Sequence, residues 1–281
     1  MIIDSHCHAG TGDGFTGPWD TRADLGRYHE WCREAGISHS VLFAPFHSDN
    51  RVANAEVARL VMANPRRFSG YVFVNAVRDA GRVLPMVSHH VRRHGFRGIK
   101  CHRYDGRISR EVCEAARRLR IPVLYDVMGD VASIDLFAPE YPEVAFIIPH
   151  LGSFADDWKA QRAFLDPLSR LPNVFTDTSG VRRFDLLEEA LQRAGAGKIL
   201  YGSDGPWLHP GVELSKILAL RMSAGDRQLV LAGNWLRLTR QHDSFRRSIL
   251  AFSGGANLQG PVRHTEASGC ALQASSFRPN R

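Results

Sequence analysis

Eight short runs rich in β-branched and aromatic residues recur along the chain, at 2–8, 39–45, 70–75, 95–102, 122–127, 144–152, 174–180 and 198–206. Several are almost continuously apolar, the composition of parallel strands covered on both faces. Longer amphipathic stretches separate them, at 22–35, 51–64, 80–94, 109–119, 155–170 and 185–194, whereas the connection 129–141 is shorter and less regular. Strand followed by helix, repeated at about 25 to 30 residues per unit, predicts an α/β fold of the (β/α)8 TIM-barrel type. A doubly wound open sheet shares the local alternation and is the alternative.

Local chemistry sets the boundaries. Ala35-Gly36 reads as a helix stop, and Asn64 is pushed out of the helical region by Pro65. Ser109 and Asp185, followed by Glu111 and Glu188, read as capping residues at helix starts. Residues 210–222 fit a last barrel helix, and 227–240 a further amphipathic C-terminal helix containing Gly233-Asn234. The barrel is therefore expected over 1–242. The extension 243–281 is punctuated by Ser253-Gly254-Gly255, Gly260-Pro261 and Ser275-Ser276, and is expected to be weakly ordered.

A hydrophobic content of 44% with 23% charged residues suits a globular protein with a large core. No run reaches the ~18 apolar residues of a membrane span, and Asp4 and His6 interrupt any secretory pattern at the start. No membrane association and a cytoplasmic location are the expectations. Cys7, Cys32, Cys101, Cys113 and Cys270 are odd in number and form no Cys-x-x-Cys pair, which argues for reduced thiols. Of the net charge of +7, residues 240–281 carry +4, from six arginines against Asp243 and Glu266. With no block of like charges and no recognition motif, nucleic-acid binding is not expected.

The first run ends in His6-Cys7-His8. In a strand, alternation would put Asp4, His6 and His8 on one face and Cys7 on the other, with imidazoles about 7 Å apart that can converge on one metal ion. A Gly-rich loop, Gly10 to Gly17, follows. In such barrels the reacting groups sit at the C-terminal ends of the strands. Those ends carry Phe46-His47, Lys100-Cys101-His102, Tyr125-Asp126, Pro149-His150-Leu151-Gly152, Asp177-Thr178-Ser179 and Gly202-Ser203-Asp204-Gly205-Pro206. Turn residues alone would not concentrate His, Lys and Asp at so many ends.

His6-x-His8, Pro149-His150-Leu151-Gly152 and Gly202-Ser203-Asp204, in that order on the first, sixth and eighth strands, resemble the amidohydrolase superfamily. The nearest branch is the amidohydrolase-related group that includes aminocarboxymuconate-semialdehyde decarboxylase, and the resemblance spans about residues 1–240. It implies one divalent metal ion, zinc or manganese, held by His6, His8 and Asp204. His150 would stand beside the metal-bound water as general base or electrostatic partner, and Asp204 could also take the proton. A bound metal lowers the pKa of water from 15.7 to about 7. The family pattern Pro-Val-Leu-x-His on the fifth strand is here Pro122-Val123-Leu124-Tyr125-Asp126, so Asp126 is the candidate replacement ligand. The alternative is a supporting or substrate-binding group in a site with weak or no metal, since some relatives in this branch hydrolyse lactones without one.

Lys100 is expected to bind a substrate carboxylate rather than to bridge two metals, with Arg103, Arg182 and Arg183 nearby to assist. His47, His102 and His209 are candidate pocket residues. Phe15, Trp19 and Trp207 are candidate apolar walls, and His89-His90 reads as surface. The favoured reaction is metal-assisted hydrolysis of an amide, ester or lactone in a small carboxylated substrate. The alternatives are non-oxidative decarboxylation at the same site and a non-catalytic barrel that binds a small ligand. Members of the family are often dimers, and a homodimer is one assembly the resemblance allows, although the sequence itself does not set the oligomeric state.

Overall fold

The computed structural model describes residues 1–14 and 22–240; Phe15, Trp19 and the extension 243–281 lie outside them. Strands and helices alternate as β1 (Ile3–His8), α1 (Leu25–Glu34), β2 (His39–Phe43), α2 (Asn50–Ala63), β3 (Phe68–Phe73), α3 (Val83–His94), β4 (Gly98–His102) and α4 (Arg110–Leu119). They continue as β5 (Val123–Asp126), α5 (Ile134–Phe137), β6 (Phe146–Ile148), α6 (Trp158–Arg170), β7 (Val174–Asp177), α7 (Phe184–Ala194), β8 (Ile199–Leu200), α8 (Pro210–Ala219) and α9 (Ala224–Gln228). The eight strands form one parallel sheet in sequential order. That order excludes the doubly wound alternative, whose strand order reverses at a switch point.

The barrel closes without a regular β8–β1 ladder. Ser5 N–H donates to Tyr201 O (3.0 Å), Asp204 N–H to His6 O (2.8 Å) and His8 N–H to Gly205 O (2.7 Å). The irregular segment after β8 thus serves as the last staves, which sets Asp204 against the two histidines.

Alternation along the strands separates two apolar layers. Val41, Phe43, Tyr71, Phe73, Leu124, Ile147, Phe175 and Leu200 fill the barrel, while Leu42, Val72, Ile99, Cys101, Tyr125, Phe146 and Ile148 face the helices. Gly98 makes room for the interior packing, since a Cβ there would lie 2.5 Å from the Tyr71 ring. The C-terminal helix contributes Ala232 and Trp235 to the interior cluster, and Trp235 Nε1–H donates to Tyr71 OH (3.0 Å). A π-helical turn at Leu229–Gly233 precedes helical residues 234–240.

The β1 phase differs from simple alternation. Its register against β2 shifts between Asp4 and Cys7. Ile3 joins the interior cluster, yet Cys7 lies in the outer layer with Asp4, whose Oδ2 accepts from Tyr28 OH of α1 (2.9 Å). A bulge adds one residue and so flips the face beyond it. His6 and His8 share the interior face as expected, and Asp4 does not. Ser109 caps α4 as its sequence predicts, accepting from Val112 N–H, but α7 begins at Phe184 with Asp185 inside its first turn rather than at its cap.

Candidate metal centre and cavity

At the C-terminal mouth of the barrel, a cavity of about 370 Å³ is bounded by His6, His8, Lys100, His102, Asp126, His150 and Asp204. Apart from Ser153, its remaining wall is largely aromatic and apolar: Phe46, Phe73, Trp207 and Leu208, with the more exposed Phe154, Met128 and Tyr104 at the rim.

On the β8–β1 side, one donor atom each from His6, His8 and Asp204 lies within 4.8 Å of the others, the sole such group of three among the described residues. Asp204 Oδ1 is 3.3 Å from His6 Nε2 and 3.1 Å from His8 Nε2. His6 Nδ1 is 2.7 Å from Asp177 Oδ2, and because a carboxylate only accepts, Nδ1 carries a proton. In neutral His6 the Nε2 lone pair would then oppose the Asp204 oxygen. A cation must lie between them, either a proton or a metal ion.

The electrostatics agree with that requirement. Burial disfavours a charge on His6, but the Asp177 and Asp204 carboxylates outweigh it and raise the imidazolium pKa to about 9. Burial dominates at His8 and lowers its pKa to about 4, so its ring is neutral at pH 7 and able to ligate. Burial would raise the Asp204 carboxyl, yet its bonds to both histidines hold it well below the ordinary range.

Local conformation builds this corner. Asp204 has φ +60° and His150 φ +60°, left-handed values that cost about 1–2 kcal/mol for residues with a Cβ. The Asp204 N–H bond to His6 O holds the first. Gly202 permits the close approach, because a Cβ there would stand 2.9 Å from His6 Cβ and 3.1 Å from Asp177 Cγ.

Across the cavity the arrangement differs. Asp126 lies opposite His102 in the β4–β5 register, and its Oδ2 is 3.2 Å from His102 Nε2 and 3.5 Å from His150 Nε2. Tyr104 N–H donates to His102 Nδ1 (3.1 Å), so neutral His102 carries its proton on Nε2 and donates it to Asp126. Met128 N–H donates to Asp126 Oδ1 (2.8 Å). Burial would raise the Asp126 carboxyl, but His102, His150 and Lys100 hold it far below the carboxylate range. His150 Nδ1–H donates to Ser179 O (2.7 Å), which leaves Nε2 facing the cavity. The structure therefore places Asp126 between two imidazoles and not within the His6–His8–Asp204 triangle.

Lys100 rises from the barrel interior, buried, with Nζ 5.0 Å above the Phe43 ring. Burial lowers its pKa against the pull of Asp126, Asp204 and Asp177. Trp207 packs against His8 with ring centroids 4.1 Å apart and the planes tilted by 42°.

Other sequence candidates are placed elsewhere. Arg182 pairs with Asp156 (2.7 Å) and Arg183 with Asp185 (2.5 Å) on the surface, and Arg103 lies 3.4 Å from Asp130. None of the three lines the cavity. His47 accepts from Asp49 N–H, and His209 caps α8 by accepting from Gly211 N–H. His89 is exposed as expected, but His90 is buried.

Sequence reasoning assigned no role to Asp177 and Ser179. Asp177 fixes the proton of His6, and its Oδ1 accepts from Ser179 Oγ (2.5 Å), which lies 2.9 Å from His150 Nδ1. Both close the seventh strand, a position that marks them for inspection in any such barrel.

A sequential parallel barrel thus gathers two histidines of β1, one after β6 and an aspartate after β8 at one mouth, around a candidate metal site. The amidohydrolase family model matches residues 3–239, and the chain belongs to that family. No curated protein matches the sequence. Three solved structures with the same fold are similar to it. An amidohydrolase of Burkholderia multivorans with bound zinc has a TM-score of 0.69 at 18% identity, covering 85% of this chain and 99% of its own. The 5-carboxyvanillate decarboxylase of Sphingomonas paucimobilis has 0.68 at 16%, covering 85% and 98%. A dihydroxybenzoic acid decarboxylase of a Polaromonas species, with bound manganese and 2-nitroresorcinol, has 0.62 at 18%, covering 87% and 98%.

Proposed function

We propose that this amidohydrolase is a metal-dependent decarboxylase (a lyase) acting on a small, flat aromatic or unsaturated carboxylic acid. The observation that carries the reading is a cavity walled by aromatic and apolar side chains, with charge confined to the metal triangle, Lys100 and the Asp126 pair. That composition suits a planar apolar body with an acidic group better than the polar leaving group of a hydrolysed amide. The two decarboxylases that share the fold support the same ranking.

His6 Nε2, His8 and Asp204 would hold one divalent ion, zinc or manganese. Two imidazoles and one carboxylate leave positions open for substrate oxygens, and both metals accept that donor set. When bound, the ion would polarise those oxygens and neutralise charge at the reacting end of the substrate. Lys100 Nζ attracts the carboxylate into the barrel axis. The C–C bond to that carboxylate breaks, its electron pair stays on the substrate carbon, and CO2 leaves. His150 Nε2, held against Asp126 Oδ2, takes up a proton from solvent, the Asp126 carboxylate offsetting the imidazolium charge that burial disfavours, and passes it to that carbon. Ser179 O, by keeping a proton on His150 Nδ1, makes Nε2 the exchanging atom. Trp207 and Phe154 restrict water at the reacting carbon.

Hydrolysis of an amide, ester or lactone is the second reading, favoured by Asp204, which stands where it could take a proton from attacking water. The test is product analysis on a panel of aromatic acids and lactones in D2O. CO2 with one solvent deuterium on the product carbon is the expected result. Acid release without CO2 would move the assignment to hydrolysis, and ligand binding without turnover would leave a non-catalytic barrel.

A further inference from the structure

On the outer layer, α3 ends in a group of three histidines that the mouth of the barrel does not use. The ring centroids of His89, His90 and His94 are 5.3, 5.2 and 5.1 Å apart, a nearly equilateral triangle. An imidazole ligating at about 2.1 Å places its centroid about 3.2 Å from the ion, so two such rings at a tetrahedral angle are about 5.2 Å apart. The ring spacing is that of ligands around one centre, but only His90 and His94 already turn nitrogens toward each other; the His89 donor does not yet converge with them.

His90 and His94 are one helical turn apart and share a face. Their Nδ1 atoms are 3.1 Å apart. With bonds of about 2.1 Å, that separation subtends about 95° at an ion, the cis edge of an octahedral or square-planar site. Two facing imidazole nitrogens at this distance need one proton between them. A metal ion can take its place, the displaced proton moving to Nε2 of the same ring.

The surroundings fix the pair. His90 is buried against Phe96, with centroids 5.2 Å apart, and Gly95 ends the helix in the left-handed region at φ +69°. The site sits at a helix C-terminus, whose partial negative charge favours a cation. Arg92 and Arg93 in the same turn oppose it, so affinity must come from the imidazoles. His89 is exposed, and rotation about its Cα–Cβ bond can bring a third nitrogen to the ion.

We propose that His90 and His94 chelate a borderline divalent transition-metal ion through their Nδ1 atoms, with His89 as a third ligand. This makes a second metal site, separate from the barrel mouth, that staples the last turn of α3. Imidazole donors select ions of the Ni²⁺, Cu²⁺ and Zn²⁺ class over Mg²⁺ or Ca²⁺.

The test uses full-length, tag-free protein already loaded at the mouth, titrated with Ni²⁺ by calorimetry. One further Ni²⁺ per chain is expected in wild type, with affinity reduced at least tenfold in His94→Gln and less in His89→Gln. Unchanged far-UV circular dichroism and thermal midpoint in both variants would confirm folding, since both side chains reach solvent. With Cu²⁺, the electron paramagnetic resonance spectrum should show coupling to two or three nitrogens, reduced in His94→Gln. No uptake by loaded wild type, uptake unchanged in His94→Gln, or uptake abolished by Asp204→Asn would each overturn the proposal.

Discussion

On the β8–β1 side of the cavity, His6 and His8 turn nitrogens toward one oxygen of Asp204. On the β4–β6 side, His102 and His150 turn nitrogens toward one oxygen of Asp126. The residue types are the same, yet the hydrogen bonds behind them differ. Asp177 occupies the rear nitrogen of His6 with a proton, which leaves the front as a lone pair facing a carboxylate. A backbone N–H occupies the rear nitrogen of His102 as a donor, which leaves the front as an N–H that satisfies Asp126. The first arrangement is incomplete without a cation; the second is satisfied at His102. His150, whose rear Nδ1 also donates, presents a lone pair to Asp126 at the longer distance of 3.5 Å and can take up a proton there. Two His–Asp clusters in one pocket can therefore have different tasks, and what decides between them is the partner of the far nitrogen.

The sharpest way to break this contrast is a paired substitution. Asp204→Asn should abolish bound metal in elemental analysis and reduce turnover by at least about 10³-fold, because it removes a ligand and the charge that balances the ion. Asp126→Asn should keep about one ion per chain while losing about 10²–10³ in kcat, the range for removing a group that manages a proton. Loss of metal from Asp126→Asn would instead make it the replacement for the missing fifth-strand histidine, and the two sides would form one site.

The barrel itself was legible because parallel strands buried on both faces leave continuous apolar runs, and all eight appear at the expected places. The strand ends were read too long. Residues 149–152 and 201–206 leave the ladder, and left-handed turns at His150 and Asp204 aim their side chains at the cavity. Nothing in a local pattern signals such a turn at a non-glycine residue. The bulge that takes Asp4 out of phase with His6 is equally silent, since it depends on how β1 pairs with β2. Lys100, His102 and Asp126 reach the cavity as their phase on β4 and β5 predicts, because those strands remain regular to their ends. Arg182 was misplaced for the converse reason: a loop position near a strand end says nothing about direction, and Asp156 holds the side chain on the surface.

A second measurement sharpens the claim that the triangle requires a cation. In metal-free protein the cation is the second proton on His6, whose pKa rises from 6.5 to about 9 on folding. A raised folded value stabilises fully below 6.5, and the contribution is lost as pH rises through about 9. It is worth up to about 3 kcal/mol. A bound metal replaces that proton, so the stabilisation conferred by metal should grow by a similar amount between pH 6.5 and 9. Denaturant unfolding of metal-free and metal-loaded protein across that window measures it. A difference independent of pH would mean that no proton is displaced from His6 and that the ion lies elsewhere.

The smallest effect is expected at Asp177, and it tests the partner of the far nitrogen directly. The carboxylate is buried, and although burial would raise its pKa, His6 holds it at about 2. As an anion it keeps the His6 proton on Nδ1 and makes Nε2 more basic toward an ion. Asp177→Asn preserves the size of the side chain and can still accept through its amide oxygen, but it withdraws the charge. Carboxylates in this position are worth about 10–100-fold in metal affinity. The variant should therefore bind metal that much more weakly under competition with a chelator, and recover most of its turnover at saturating metal. Ser179 ties Asp177 to His150, so a small change in kcat should persist after saturation. A loss of kcat with unchanged metal affinity would instead place the influence of Asp177 on the proton-carrying side of the cavity, through Ser179.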